Sequence, residues 1–140
     1  MSEMMKAIVQ HSFGGPEVLQ YEDTPLPRLK AGEVLVRVHA IGLNPPDWYL
    51  REGYKMLPAE WQPQVSFPVV LGTDVSGIVV AVSDNVDEFV VGDEVYAMVR
   101  FPDGLAGESR AYAEYVSVPV SQVALKPVGV DHMHAAGAPM

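Results

Sequence analysis

The chain has 140 residues, with nine Lys and Arg against eighteen Asp and Glu, which gives a net charge of −9 at pH 7. This acidic balance opposes binding to DNA, RNA or an anionic membrane, and the lack of cysteine excludes disulfides and thiolate metal sites. Apolar residues make up 49% of the chain, which predicts one globular domain. No signal-peptide pattern or membrane-spanning apolar run occurs, so a cytoplasmic location is expected.

Alternation of apolar and polar residues predicts strands in the first half of the chain. The first strand covers 6–10 and ends at the turn 13–16. A second strand covers 18–22 and precedes a proline-bearing connector at 24–27. The clearest strand covers 33–41. Its alternation places Val34, Val36, Val38 and Ala40 on one face and Leu35, Arg37, His39 and Ile41 on the other.

The second half of the chain continues with short strands between turns rich in Gly, Asp and Asn. Strands are predicted at Asp74–Val82, 95–99, 112–118 and 122–125, with a bend or bulge at 76–77. Such spacing is typical of a closed or nearly closed barrel and differs from that of βαβ units. The sequence therefore predicts a mainly β fold.

Two short helices interrupt the strands. The first runs from Pro46 or Asp47 to Arg51, because proline favours a helix start and Gly53 ends the helix. The second begins after Asp131, a good N-cap, and contains the alanine-rich end of the chain. Asp47 and Arg51 are four residues apart on the first helix, so an ion pair between them is predicted.

Five sequence fragments occur in an order that is typical of one superfamily. They are K-A-I-V at 6–9, G-E-V-L-V-R-V at 32–38, P-x-x-x-G-x-[DE]-x-x-G at 68–77, V-x-x-F-x-x-G-D-x-V at 86–95 and Y-A-E-Y at 112–115. On these fragments the chain resembles the N-terminal GroES-like domain of the medium-chain dehydrogenase/reductase superfamily. Ser83 departs from the pattern, since many relatives carry glycine there.

This resemblance implies a GroES-like, partly open β-barrel with short helices at 1–130. Residues 131–140 would then start the helix that leads toward a Rossmann nucleotide-binding domain, which is absent here and is expected beyond Met140. The cofactor is expected to bind mainly to that following domain.

Two positions indicate which branch of the superfamily the chain resembles. Zinc-using members carry Cys where Asn44 stands and a His-Glu pair where Thr73 and Asp74 stand. Asn and Thr supply neither the thiolate nor the imidazole that zinc favours. The segment 100–110, where a structural zinc lobe would fall, contains no cysteine. The chain therefore resembles the zinc-independent quinone oxidoreductases and enone reductases, which implies no metal.

The same resemblance implies reduction of a quinone or an activated double bond by hydride transfer from NADPH or NADH. In this branch the residue that matches Asn44 borders the nicotinamide, and its amide can both donate and accept hydrogen bonds. A turn residue before two prolines is the other interpretation of Asn44. Asn44 and Tyr54 are the candidate catalytic residues, and Asn44, Tyr49 and Tyr54 are the candidate contacts to the cofactor.

Trp61 and Phe67 are candidate walls of the substrate pocket. They belong to an apolar, proline-bearing loop at 56–67 beside the first predicted helix, which suits a flat or hydrophobic acceptor. Ordinary packing over the end of the barrel would explain the same loop equally well.

The four histidines are weaker candidates for metal ligands. His132 and His134 have metal-like spacing, but residues two apart at a helix start point in different directions. A pair of surface histidines is therefore favoured. His39 lies on a strand and is predicted to be partly buried and hydrogen-bonded.

Two other functions stay open: a zinc-type alcohol dehydrogenase with displaced ligands, and a non-enzymatic GroES-like binding module. For the full-length enzyme the resemblance implies a homodimer that acts on a small hydrophobic molecule, without nucleic-acid or membrane partners. The 140-residue segment alone is expected to bind NADPH weakly and to show no turnover.

Overall fold

The computed structural model describes residues 3–99, 105–106 and 110–140. The strands there are β1 (Met4–Gln10), β2 (Leu19–Pro25), β3 (Glu33–Gly42), β4 (Val65–Ser66), β5 (Val69–Val70), β6 (Asp74–Val82), β7 (Glu94–Met98), β8 (Leu105–Ala106), β9 (Tyr115–Pro119) and β10 (Val123–Leu125). The α-helices are α1 (Pro45–Arg51) and α2 (His132–Ala136), and 3₁₀ helices cover Pro16–Val18, Ala59–Trp61 and Val120–Gln122. The predicted mainly β fold is confirmed. In these ranges, every helix is too short or too polar to cross a bilayer.

Two antiparallel sheets make up most of the domain. One has the strand order β10-β7-β6-β3-β9, the other has the order β2-β1-β5, and β4 and β8 pair separately in parallel. The segment 112–114 links the two sheets: Ile8 N–H donates to the carbonyl of Tyr112 at 2.8 Å, and Val38 N–H donates to the carbonyl of Glu114 at 2.8 Å. The sheets do not close into a complete barrel, which matches the partly open barrel that the resemblance implied.

A bulge near the end of β3 reverses its side-chain alternation. The register against β6 shifts between Val38 and Ala40, opposite Gly77, so the irregularity predicted at this point is confirmed. A Cβ atom on Gly77 would lie 2.1 Å from the carbonyl oxygen of Arg37, which is why glycine is required there. Because a bulge changes the parity of the following residues, Ile41 packs against the core, although alternation placed it on the opposite face.

The main hydrophobic core lies against the five-stranded sheet. Its buried members are Val34, Val36, Val75, Val79, Val86, Phe89, Val95, Ala97, Val99, Ala111, Val116 and Val118. Full burial of one valine contributes roughly 1.5 kcal/mol or more, so this core fixes the positions of the strand ends that carry the site. α2 packs against β3, β6 and β7. The predicted N-cap is confirmed, because Asp131 accepts the His134 N–H at 2.8 Å.

Several element boundaries differ from the sequence prediction. Val18 ends a 3₁₀ helix, and β2 extends to Pro25, so part of the predicted connector is strand. β9 begins at Tyr115, because 112–114 bridges the two sheets before the regular strand starts. β4, β5 and β8 have two residues each, which is too short for a recognisable alternation.

Candidate functional site

Asn44 is the N-cap of α1, which begins directly after β3. Gly42 of β3 pairs with Asp74 of β6, so Asn44 and Thr73 lie at the same end of neighbouring strands. The nitrogen Nδ2 of the Asn44 side chain is buried and has no hydrogen-bond partner among the described residues. A buried donor without a partner costs free energy. Asn44 therefore offers a donor that a bound molecule could satisfy.

Asp47 connects the start of α1 to a distant part of the chain. This residue is only 6% exposed, and its Oδ2 accepts the Asn44 N–H at 3.0 Å and the Tyr112 O–H at 2.6 Å. Burial, and then the hydrogen bond to Asp47, raise the pKa of Tyr112 far above its ordinary value. The Tyr112 hydroxyl therefore stays protonated and donates at neutral pH.

Sequence reasoning assigned Tyr112 only to a strand and missed this contact. The hydrogen bond joins residues 65 positions apart, so no local spacing could indicate it. The available signal was the aromatic first position of the Y-A-E-Y fragment, combined with a carboxylate in the first turn of α1.

The ion pair predicted between Asp47 and Arg51 is wrong. Arg51 donates from Nε to the carbonyl of Gly14 at 3.1 Å and from Nη2 to the carboxylate of Glu52 at 3.1 Å. The carbonyl oxygen of Arg51 accepts the Gly14 N–H at 3.0 Å and Nε2 of Gln10 at 2.8 Å. These contacts fix the end of α1 to the loop after β1. Asp47 makes its contacts at the start of α1, away from Arg51.

A row of aromatic rings runs along α1 and beyond it. The Tyr49 ring centre lies 4.3 Å from that of Trp48 and 6.1 Å from that of Tyr54. Tyr54 has a φ of 54° and donates its N–H to the carbonyl of Tyr49 at 2.7 Å. Burial, and then the charge of Asp47, raise the pKa of Tyr54, so its hydroxyl is neutral at physiological pH. Asn44 thus stands at the start of α1, Tyr49 toward its end, and Tyr54 beyond it.

Thr73 and Asp74 bind each other and the chain after α2. Thr73 Oγ1 donates to Oδ1 of Asp74 at 2.9 Å, and Oδ2 of Asp74 accepts the Met140 N–H at 3.1 Å. Thr73 is 3% exposed and Asp74 is 1% exposed. Together with Asn44, this set contains one engaged carboxylate and neutral donors, which is a poor match for zinc. Within 3–99 and 110–140, no three His, Asp or Glu side chains are close enough to hold a metal ion.

Comparisons with known proteins show which family the chain belongs to. The family model of the alcohol dehydrogenase GroES-like domain matches residues 30–128. The chain belongs to this family. It is 40% identical over 139 residues, or 97% of its length, to the chloroplastic NADPH-dependent alkenal/one oxidoreductase of Arabidopsis thaliana. It is 36% identical over 136 residues, or 96% of its length, to the quinone oxidoreductase of Sus scrofa. The chain spans 34% and 37% of the lengths of these two relatives.

Solved structures agree with this assignment. The quinone oxidoreductase from Coxiella burnetii matches with a TM-score of 0.84 and 34% identity, covering 98% of this chain and 41% of that chain. The quinone oxidoreductase of Escherichia coli complexed with NADPH matches with a TM-score of 0.77 and 29% identity, covering 95% and 36%. The resemblance to the quinone oxidoreductases of the medium-chain dehydrogenase/reductase superfamily is confirmed.

In this GroES-like domain, Trp61 and Phe67 lie on the surface. Trp61 is 70% exposed, and Phe67 is 37% exposed and contacts Phe13 edge to face, with ring centres 5.0 Å apart. A mostly apolar groove of about 520 Å³ includes Leu43 and Tyr112 in its walls, and neither Trp61 nor Phe67 lines it. Their role as walls of the substrate pocket stays a prediction.

His132 differs from the surface residue that the sequence predicted. Its side chain is only 16% exposed. Its Nδ1 lies 2.6 Å from Oγ of Ser76, and its Nε2 lies 3.2 Å from a carboxylate oxygen of Glu94. His134 matches the prediction, since its side chain is 82% exposed and its Nδ1 lies 2.7 Å from Oδ1 of Asp131, its own N-cap.

His39 stacks on His132, with ring centres 4.6 Å apart and a tilt of 34°. His39 is exposed, and no hydrogen bond of its ring is observed among the described residues, so the prediction of a partly buried, hydrogen-bonded residue is wrong on both counts. The desolvation caused by neighbouring atoms, followed by His132 and Arg37, lowers the pKa of His39. This histidine pair therefore lies between α2 and β3 and outside the Asn44 site.

Proposed function

We propose that this domain forms the substrate side of a zinc-independent reductase that uses NADPH, or NADH, to reduce a quinone or an activated double bond. The observation that carries the proposal is the buried Nδ2 of Asn44 at the start of α1, for which the described part of the chain offers no hydrogen-bond partner. It supplies the kind of fixed donor that can orient a carboxamide or a carbonyl in a protected site.

Asn44, Tyr49 and Tyr54 are the residues of this domain that would contact the nicotinamide. The cofactor supplies the hydride when it is bound. Asn44 would donate a hydrogen bond from Nδ2. Tyr54 would donate one from its hydroxyl, which stays neutral because its pKa is raised. Two fixed neutral donors can polarise the oxygen of an acceptor without a metal ion.

The residues at the zinc-ligand positions support the metal-free part of the proposal. Asn44 and Thr73 stand in place of Cys and His, and Asp74 already accepts two hydrogen bonds. Neither a thiolate nor an imidazole is present at these positions, and these are the ligands that catalytic zinc uses with carboxylates.

The relatives support the type of substrate. Their names include an NADPH-dependent alkenal/one oxidoreductase and quinone oxidoreductases. Because the chain spans about a third of their lengths, the proposed turnover belongs to a protein in which this domain is joined to a nucleotide-binding domain. For the 140-residue chain alone, weak NADPH binding without turnover stays a prediction. A homodimer and a cytoplasmic location are also predictions.

Oxidation of NADPH, followed at 340 nm with a panel of quinones and enones, tests the proposal in the two-domain enzyme. Asn44→Ala should lower kcat about 100-fold, as loss of one preorganised donor does in other enzymes. Asn85→Ala, in an exposed turn, is the matched control and should leave kcat unchanged. The proposal fails if no quinone or enone supports oxidation, and its metal-free part fails if dialysis against a chelator removes the activity.

A further inference from the structure

The position of the Tyr112 hydroxyl, which contacts α1, is set by segments other than α1. Tyr112 N–H donates to the carbonyl of Leu71 at 3.0 Å, and its own carbonyl accepts the Ile8 N–H at 2.8 Å. The ring also lies directly against Gly72, where an added Cβ would be 2.5 Å from Cδ1 of the ring. Strand β1 and the segment before β6 therefore set the position of this hydroxyl, independently of α1.

α1 depends on such a contact for its orientation. The helix has seven residues, and isolated helices of that length are not stable in water. Asp47 binds the Asn44 N–H and the Tyr112 O–H through the same oxygen, Oδ2. The hydroxyl of Tyr112 thus reaches the backbone of Asn44 through one buried carboxylate.

We propose that Tyr112 is a positioning residue that acts through Asp47 to aim the Nδ2 donor of Asn44. This inference rests on the proposed function for its effect on catalysis, whereas its structural part holds without it. Loss of the hydroxyl leaves the Asp47 carboxylate with one of the two hydrogen bonds that it accepts from described residues, and the first turn of α1 then moves together with Asn44. Displacement of about 1 Å at such a donor can cost up to about 100-fold in rate.

Tyr112→Phe is the variant that tests the proposal, since it keeps the ring against Gly72 and removes only the hydroxyl. Tyr115→Phe is the matched control, because Tyr115 is partly buried nearby in β9 and its hydroxyl has no hydrogen bond among the described residues. In the two-domain enzyme, Tyr112→Phe should lower kcat about tenfold. The KM for NADPH should change less than about twofold, because most of the cofactor site lies elsewhere.

A double-mutant cycle separates positioning from general destabilisation. If Tyr112 acts through Asn44, Tyr112→Phe should lower kcat about tenfold in the wild-type background and by less than about twofold in the Asn44→Ala background. The proposal would be overturned if Tyr112→Phe lowered kcat by the same factor in both backgrounds. It would also be overturned if Tyr112→Phe left kcat unchanged in the wild-type background.

An NMR measurement on the 140-residue chain decides the structural part without any turnover. The backbone and side-chain amide resonances of Asn44 should shift in Tyr112→Phe and stay in place in Tyr115→Phe. Unshifted Asn44 resonances would refute the proposal. An enzyme without reductase activity whose Asn44 resonances do shift would instead refute the proposed function and leave the positioning role supported.

Discussion

Replacing Gly72 with alanine tests how firmly the Tyr112 ring is held. Gly72 is buried with a φ of +100°, and an added Cβ would lie 2.5 Å from Cδ1 of Tyr112 and 2.9 Å from Cβ of Ala111. A non-glycine residue in such a backbone region costs about 1–3 kcal/mol, and overpacking of a filled site costs about 1–3 kcal/mol more. We expect Gly72→Ala to lower the free energy of unfolding by about 4 kcal/mol, measured by urea unfolding with circular dichroism detection.

Gly92→Ala provides the control for the backbone contribution. Gly92 has a φ of +99°, and an added Cβ would meet no atom within 4 Å. We therefore expect a loss of about 2 kcal/mol, from backbone strain alone. With a urea m-value of about 2 kcal/mol/M, the midpoints of the two variants should differ by about 1 M. Equal midpoints would refute the reasoning, because they would mean that the Tyr112 ring moves away from the new methyl group without any loss of stability.

Three further predictions follow from pKa values and burial. Because the pKa of Tyr112 is raised above 10.0, the stability from its neutral hydroxyl is complete below pH 10 and falls as the pH rises further. Ultraviolet titration should therefore show a late tyrosine that is missing in Tyr112→Phe, and identical curves would contradict this. The pKa of His39 is lowered from 6.5, so its contribution to stability is complete above pH 6.5 and falls as the pH decreases. In an NMR titration, His132→Asn should move the pKa of His39 back upward, and an unmoved value would exclude His132 as a cause. Gln10 is 0% exposed and donates two hydrogen bonds, so Gln10→Leu should reduce the free energy of unfolding by about 2 kcal/mol. The exposed Gln20→Leu is its control in urea unfolding, and equal losses in both variants would refute the role of burial.

The long strands and the N-cap of α2 were predictable because local patterns produce them. Asp74–Val82 has the predicted bounds, and α2 begins after Asp131 as the N-cap rule indicates. The face of β3 was predictable as far as Val38. Beyond Val38 a bulge reverses which residues of β3 face the core. That bulge depends on the close approach of Gly77 to the neighbouring strand.

The partners of the site residues were not predictable from spacing. The i, i+4 rule for Asp47 and Arg51 describes an isolated helix, in which each side chain has only helical neighbours. In the folded domain, Tyr112 and Gln10 reach the two ends of α1 from other segments and provide its contacts instead. The position of Asn44 was predictable through the family pattern, whereas the lack of a partner for its Nδ2 among the described residues depends on the folded arrangement around α1.

The attachment of α1 at both ends has a consequence for heat resistance. A helix of seven residues with free ends would fray at temperatures well below the melting of the sheets. Here, opening of the whole helix must break both the contacts of Arg51 with the loop after β1 and the contact of Asp47 with Tyr112. We therefore expect the segment that carries Asn44 to open together with the core. Its melting should coincide with that of the whole domain, so a warmed sample keeps an ordered site until the fold itself is lost.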